Sequence, residues 1–205
     1  MAAAVNILES MGDPALRKDM TEDANLLLVG GGKLLLALSA PMTFTPAYFK
    51  ADPEAAAEWK QFIEELGKIN ISEGDLENLL NGSFSIALGS DATILGKSVP
   101  GGYAAFTGRK GAAAKILGSL AGSEEFTKEV PLIPLKIDGW DSVYAVDPEE
   151  YPASLLLGVM GDTLFVGFVD ADALSRAPEL PGEITKVLDD PLLGVGFIDA
   201  AMIWD

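Results

Sequence analysis

Three times along the chain, two short apolar runs lead into a segment with helical spacing. Leu26–Val29 and Lys33–Ser39 precede Pro53–Leu66. Ser83–Leu88 and Tyr103–Thr107 precede Lys110–Leu120, and Leu155–Met160 and Thr163–Val169 precede a segment starting near Asp172. Apolar runs separated by turn residues pair as hairpins, and a hairpin makes its strands antiparallel. The rhythm predicts an α+β fold: a mainly antiparallel sheet built from three hairpin-then-helix units, with the helices packed on the sheet. The units share a pattern but little residue identity and no fixed period, so they do not form a solenoid.

Local signals place the elements. Gly161-Asp162 is the strongest hairpin dipeptide. Gly30-Gly31-Gly32 is a second turn, because glycine accepts positive φ. Asp52 suits an N-cap, Pro53 and Glu54 a first turn, and Gly67 a helix stop. Trp59, Phe62, Ile63 and Leu66 fall at i, i+3, i+4 and i+7, the spacing of a buried stripe, and Ala113, Ile116, Leu117 and Leu120 repeat it. Ser72 and Asp75 are spaced as a capping box, with Asp in place of the usual Glu. The helix they start packs Leu76, Leu79 and Leu80 and ends at Asn81-Gly82.

Residues 2–20 read as helix in two pieces, broken at Gly12 and restarted at Asp13-Pro14. Gly122–Lys128 is polar and acidic. Pro131 and Pro134 mark Val130–Ile137 as an edge strand or extended connector. Asp141–Val146 is a further strand. After Asp172 a short helix is broken by Pro178–Gly182 and resumes over Glu183–Leu188. Leu192–Trp204 reads as a last strand, and a strand stopping one residue before the chain does predicts a longer native protein. The expected organisation is one domain over 1–205, with a candidate seam at 121–137 dividing it into 1–122 and 123–205.

Composition removes whole classes of chemistry. The chain has 205 residues, 31 acidic against 14 basic, for a net charge of −17. Nucleic acid is excluded as a partner because it needs Lys and Arg on its phosphates, and an anionic membrane surface is disfavoured for the same reason. Acidity of this size keeps a chain that is 49% hydrophobic in solution. There is no Cys and no His, which excludes Cys or His zinc sites, thiol nucleophiles and every histidine-assisted serine. Leu26–Met42 is broken by Lys33 and its glycines, and is shorter than the roughly 20 residues a membrane helix needs. Met1–Val5 lacks the basic start and apolar run of a signal peptide.

The remaining motifs reduce to turns and caps. Gly96-Lys97-Ser98 lacks the earlier glycine of a phosphate loop, and Val99-Pro100-Gly101-Gly102 blocks the helix that should follow. Gly30-Gly31-Gly32-Lys33 leads into a strand. No Ser-x-x-Lys or Gly-x-Ser-x-Gly occurs. Asp170-Ala-Asp172 begins like a calcium loop but lacks the later ligands, and helix capping accounts for both aspartates. Asn70-Ile-Ser72 and Asn81-Gly-Ser83 match the glycosylation pattern at positions helix start and stop chemistry already explains. Neither a cofactor nor a metal is expected.

Two aromatic loops are left over. Met42–Phe49 offers Phe44, Tyr48 and Phe49 as a patch for a partner. Asp138-Gly139-Trp140-Asp141 sets Trp140 between carboxylates, suited to stacking on a sugar, clasping a cation or folding back over the sheet. Tyr103-Ala-Ala-Phe-Thr-Gly-Arg-Lys-Gly-Ala-Ala-Ala-Lys-Ile-Leu117 and Leu164-Phe-Val-Gly-Phe-Val-Asp-Ala-Asp-Ala-Leu174 each run from a strand through a polar hinge toward a helix. With Ser83-Phe-Ser-Ile-Ala-Leu-Gly89, they resemble the repeated units of uncharacterised bacterial envelope proteins and lipoproteins, over residues 75–205. The resemblance implies a bacterial, exported, non-enzymatic protein and carries over no site residues.

The resulting expectation is a non-catalytic interaction or ligand-binding module of a bacterial cell-envelope protein, extracellular or periplasmic. It would meet a protein or glycan at Phe44, Tyr48, Phe49 and Trp140. One alternative is a carboxylate-dependent glycan hydrolase, which needs two acids about 5–10 Å apart and one raised pKa. Candidates are Asp138, Asp141, Asp147, Glu149, Glu150, Asp170 and Asp172. The other alternative is a structural module forming a homodimer through an edge strand such as Leu192–Trp204.

Overall fold

The computed structural model describes residues 3–8, 34–42, 44–89, 92–94, 97–99, 101–146, 155–168 and 194–199. In chain order the elements are β1 (Ala3–Leu8), β2 (Leu34–Met42), α1 (Ala47–Lys50), α2 (Pro53–Lys68), α3 (Glu73–Leu80), β3 (Gly82–Gly89), β4 (Ala92–Ile94) and β5 (Lys97–Val99). They continue with β6 (Gly102–Thr107), α4 (Ala112–Gly122), α5 (Glu124–Glu129), β7 (Leu132–Leu135), β8 (Ser142–Val146), β9 (Leu156–Met160), β10 (Thr163–Phe168) and β11 (Gly194–Asp199). Among the described residues nine strands form one antiparallel sheet in the order β1-β11-β2-β3-β6-β10-β9-β8-β7, while β4 and β5 make a separate hairpin. The fold is α+β, with helices on the sheet.

Alternation along β3 fixes both faces of the sheet. Ser83, Ser85 and Ala87 are buried on one face, and Phe84 and Ile86 point to the other. The register carries the first set sideways through Ser39, Ser85, Ala105, Phe165, Gly158 and Val143, all buried. Small residues dominate this row, and the buried Ser85 hydroxyl donates to Ser39 Oγ at 2.8 Å, so burial leaves neither oxygen unsatisfied. The opposite face presents Phe106, Leu164, Val166, Val159, Leu157 and Tyr144. Against them pack Ile71, Leu79, Ala112, Ala113, Ile116 and Leu117, from α3, α4 and the residue pair before α3.

The turn from β6 into α4 locks the helices to the sheet. Gly108 N donates to Asp162 O (2.9 Å), Arg109 N to Asn78 O (2.8 Å) and Gly111 N to Asp162 Oδ1 (3.0 Å). Thr107 and Thr163 hydroxyls meet at 3.0 Å beside them. A Cβ on Gly108 would lie 2.7 Å from both Asn78 O and Leu79 Cα, so only glycine lets the turn approach α3 this closely. Gly111 is there for a different reason, its φ of +68°, and a side chain would meet nothing. Lys115 then pairs with Asp75 at 2.6 Å, tying α4 to the capping box that starts α3.

Several sequence expectations need correction. Ala3–Leu8 is a strand and not a helix, because pairing with β11 overrides the helix propensity of its alanines. Gly67 does not stop α2, which runs on to Lys68; Asn70 takes the left-handed conformation (φ 63°) instead. The candidate seam at 121–137 contains a helix over Glu124–Glu129, capped by Ser123 Oγ on Phe126 N. β11 is not an edge strand: β1 and β2 flank it, and among the described residues β7 and β1 occupy the edges.

Other elements agree with the sequence reading. These are the Asp52 cap, the Ser72–Asp75 capping box, the β9–β10 hairpin with Gly161 at φ 57°, and β7 as an edge strand. Lys97 and Ser98 sit on a strand, so no phosphate-binding helix follows them. Leu26–Val29 with its glycine turn, Gly12, Asp13-Pro14, Asp170, Asp172, Pro178–Gly182 and Glu183–Leu188 lie outside the described residues. So do Asp147, Glu149 and Glu150. Among the described residues no helix is long and apolar enough to cross a membrane.

The two glycines of the locking turn give a graded test. Gly108→Ala is expected to lower unfolding stability by about 2–3 kcal/mol through backbone overpacking. Gly111→Ala should cost only about 1 kcal/mol, from left-handed strain without a clash. Urea denaturation of both variants measures this, and equal costs would show that the turn does not restrain α3.

Candidate functional site

Two helix starts in quick succession create an aromatic cluster. Phe49 N donates to Pro46 O (3.0 Å), closing the single turn of α1. Asp52 Oδ1 then accepts from Glu54 N (2.9 Å) and Ala55 N (3.0 Å), starting α2. The reversal between the helices lays Phe49 on Trp59, with centroids 4.8 Å apart and planes 12° from parallel. Phe44 joins at 5.9 Å from Phe49 and 5.6 Å from Trp59, and Phe62 lies 5.5 Å from Trp59.

Polar anchors hold the rings to α3. Phe44 N donates to Asn81 Oδ1 at 2.8 Å, just past the end of that helix. At its other end Glu73 Oε1 accepts from Trp59 Nε1 (3.0 Å) and pairs with Lys50 Nζ (2.7 Å). The Lys50 ammonium first, and the indole N–H second, hold the Glu73 carboxyl below the usual carboxylate range.

The stripe expected to be buried on α2 is therefore corrected: no residue of this helix is buried. Only its C-terminal end reaches the core, through Leu66, and its N-terminal half meets α1 instead. Phe49 remains 41% exposed and Phe62 47% exposed, so the cluster presents aromatic surface to solvent.

Of the residues the sequence singled out, Phe44 and Phe49 come together here. Tyr48 lies on α1, and its side chain is outside the described residues. Trp140 belongs elsewhere. It stands edge-on to Phe165 (5.4 Å, 82°), and its ring covers Gly158, where a Cβ would come within 2.8 Å of it. Phe165 faces away from the helices, and β2 and β8 are five strand spacings apart, about 24 Å. The two aromatic loops are not one site.

Trp140, with Asp138 and Asp141, instead lines a hollow of about 310 Å³ in its own loop. Asp141 Oδ2 is occupied there by Gly161 N at 2.8 Å. A larger cleft of about 620 Å³ runs between the end of α2 and α4, lined by Lys68, Asn70, Lys115, Gly118, Ser119 and Glu124 among others. It holds charges of both signs and no aromatic ring.

No family model, curated protein or solved structure matches the chain. Function must be read from the chemistry of these surfaces.

The described electrostatics run against acid catalysis at the two shifted carboxylates. Glu73 is held low by its partners. Burial pushes the Asp75 carboxyl up, but hydrogen bonds from Lys115 and Ser72 outweigh it and leave the group low. A general acid needs the reverse shift. Among the described residues no group of three or more acidic side chains could hold a metal ion.

Trp59, Phe62, Lys50 and Glu73 are the members of the cluster that sequence reasoning did not assign to it. The available signal was the density of aromatic residues over 44–62, masked by a stripe that looked like core.

Glu73 makes the cluster pH-sensitive. Its interactions with Lys50 and Trp59 are complete above the ordinary glutamate pKa of about 4.3, and are lost as pH falls through the lowered folded value. Tryptophan emission should therefore show an acid transition centred below the ordinary glutamate pKa, absent in Glu73→Gln. An identical transition in the variant would mean that Glu73 does not hold Trp59.

Proposed function

We propose that this chain is a non-catalytic interaction module of a bacterial cell-envelope protein, and that it meets a protein partner through the aromatic cluster of α1 and α2. The observation that carries the reading is the exposure of Phe49 and Phe62, at 41% and 47%, on rings that both rest on Trp59, whose N–H is held by Glu73. Soluble proteins seldom leave a contiguous aromatic patch in water without use, and aromatic anchors dominate binding energy at interfaces. Rings already held in place lose little freedom on binding.

A protein suits the cluster better than a glycan. Sugar stacking uses an open ring face with polar groups beside it. Here one face of Trp59 carries Phe49 and its N–H is given to Glu73. Placement at the extracellular or periplasmic side of the envelope is supported by the resemblance of the strand units within residues 75–205.

Site-specific photocrosslinking tests this. With p-benzoylphenylalanine at position 62, cells producing the protein should yield adducts several-fold above those from position 128 on α5, where Lys128 is 78% exposed. Phe49→Ala should reduce the adducts at 62. Equal labelling at both positions would overturn the reading.

A further inference from the structure

The first turns of α2 beside the cluster carry an acidic row. Glu54, Glu58, Gln61 and Glu65 are spaced i, i+4, i+7 and i+11 along α2, which aligns them in one row next to that of Phe62. All four are exposed. Lys68 binds Glu65, whereas Glu54 and Glu58 make no ion pair among the described residues. The lysine in the middle of α2, Lys60, lies on the other side of the helix and pairs with Glu64 at 3.6 Å.

Resting on the reading of the cluster as a docking surface, we propose that its partner is a cationic amphipathic helix: an apolar face laid on Phe49 and Phe62, with Lys or Arg reaching Glu54 and Glu58. A helix packed along α2 spans both rows at once, as in helix-on-groove recognition. Charge decides among the occupants. A second copy brings its own net charge of −17 and its own acidic row. An anionic lipid surface is repelled in the same way. A neutral sugar leaves the glutamates unused.

The probe is a labelled peptide of leucine and lysine, about five turns long with leucine at helical spacing. It is compared by anisotropy with its scrambled version and with a leucine–glutamate counterpart, on the full chain. The leucine–lysine helix should bind best. Phe49→Ala with Phe62→Ser should weaken it about 10-fold or more at low and high salt. Glu58→Lys should weaken it several-fold at low salt only. If the double variant loses its circular dichroism, Phe62→Ser alone carries the comparison.

Four results would overturn the proposal, and they differ in what they leave standing. Equal binding of both amphipathic peptides, lost in the double variant, removes the charge preference but keeps the docking surface. Binding indifferent to Phe49 and Phe62 removes the docking surface itself and leaves only bulk acidity. Co-sedimentation with phosphatidylserine vesicles that Phe62→Ser abolishes assigns the cluster to lipid. A dimer in light scattering that the same variant dissolves assigns it to a second copy.

Discussion

The approach of the β6–α4 turn to α3, with no room for a side chain at Gly108, is the constraint on which the helical layer depends. Backbone groups of Gly108 and Arg109 bind the β9–β10 turn and the end of α3 at the same point, so sheet and helix are registered by hydrogen bonds as well as by apolar contact. Hydrophobic burial alone is non-directional and would allow α3 to slide. The turn removes that freedom. Because α3 carries Glu73 at one end and precedes Asn81 at the other, fixing it also fixes the two groups that hold Trp59 and Phe44. The aromatic cluster is thus positioned from the centre of the sheet through one short helix.

Much of this architecture is legible in local chemistry. Asp52, Ser72 with Asp75, and Gly161-Asp162 act where they stand, so their caps and turn could be read without knowing the fold. The failures share a cause, which is that remote partners decided them. Ala3–Leu8 becomes a strand only because β11, nearly two hundred residues away, is there to pair with. The stripe of α2 looks like core because its spacing fits a buried face. Nothing in the helix itself says that α1 would meet it in place of the sheet. Phe44 and Phe49 were legible as a patch; Trp59 and Phe62 were not, for that reason.

Trp59 and Trp140 show how one residue type serves opposite ends. Trp140 stands over Gly158, whose missing side chain leaves the space its ring fills, and its contact with Phe165 extends the small-residue face of the sheet. Trp59 is stacked and hydrogen-bonded too, yet it supports outer rings that remain in water. The difference lies in what the ring rests on: a strand with no Cβ in one case, another exposed aromatic in the other.

The position of β11 between β1 and β2 has a consequence for how the chain acquires its shape. Strands β3, β6, β10, β9, β8 and β7 can assemble among themselves as neighbours in the sheet, but β1 reaches that sheet only through β11. During synthesis, β1 and the outer edge of β2 must wait until residue 199 has left the ribosome. Their pairing has the largest sequence separation in the fold and is slow for that reason. Until it forms, the outer edge of β2 is a template for foreign strands. For this protein, the period of exposure during folding is set by one late strand.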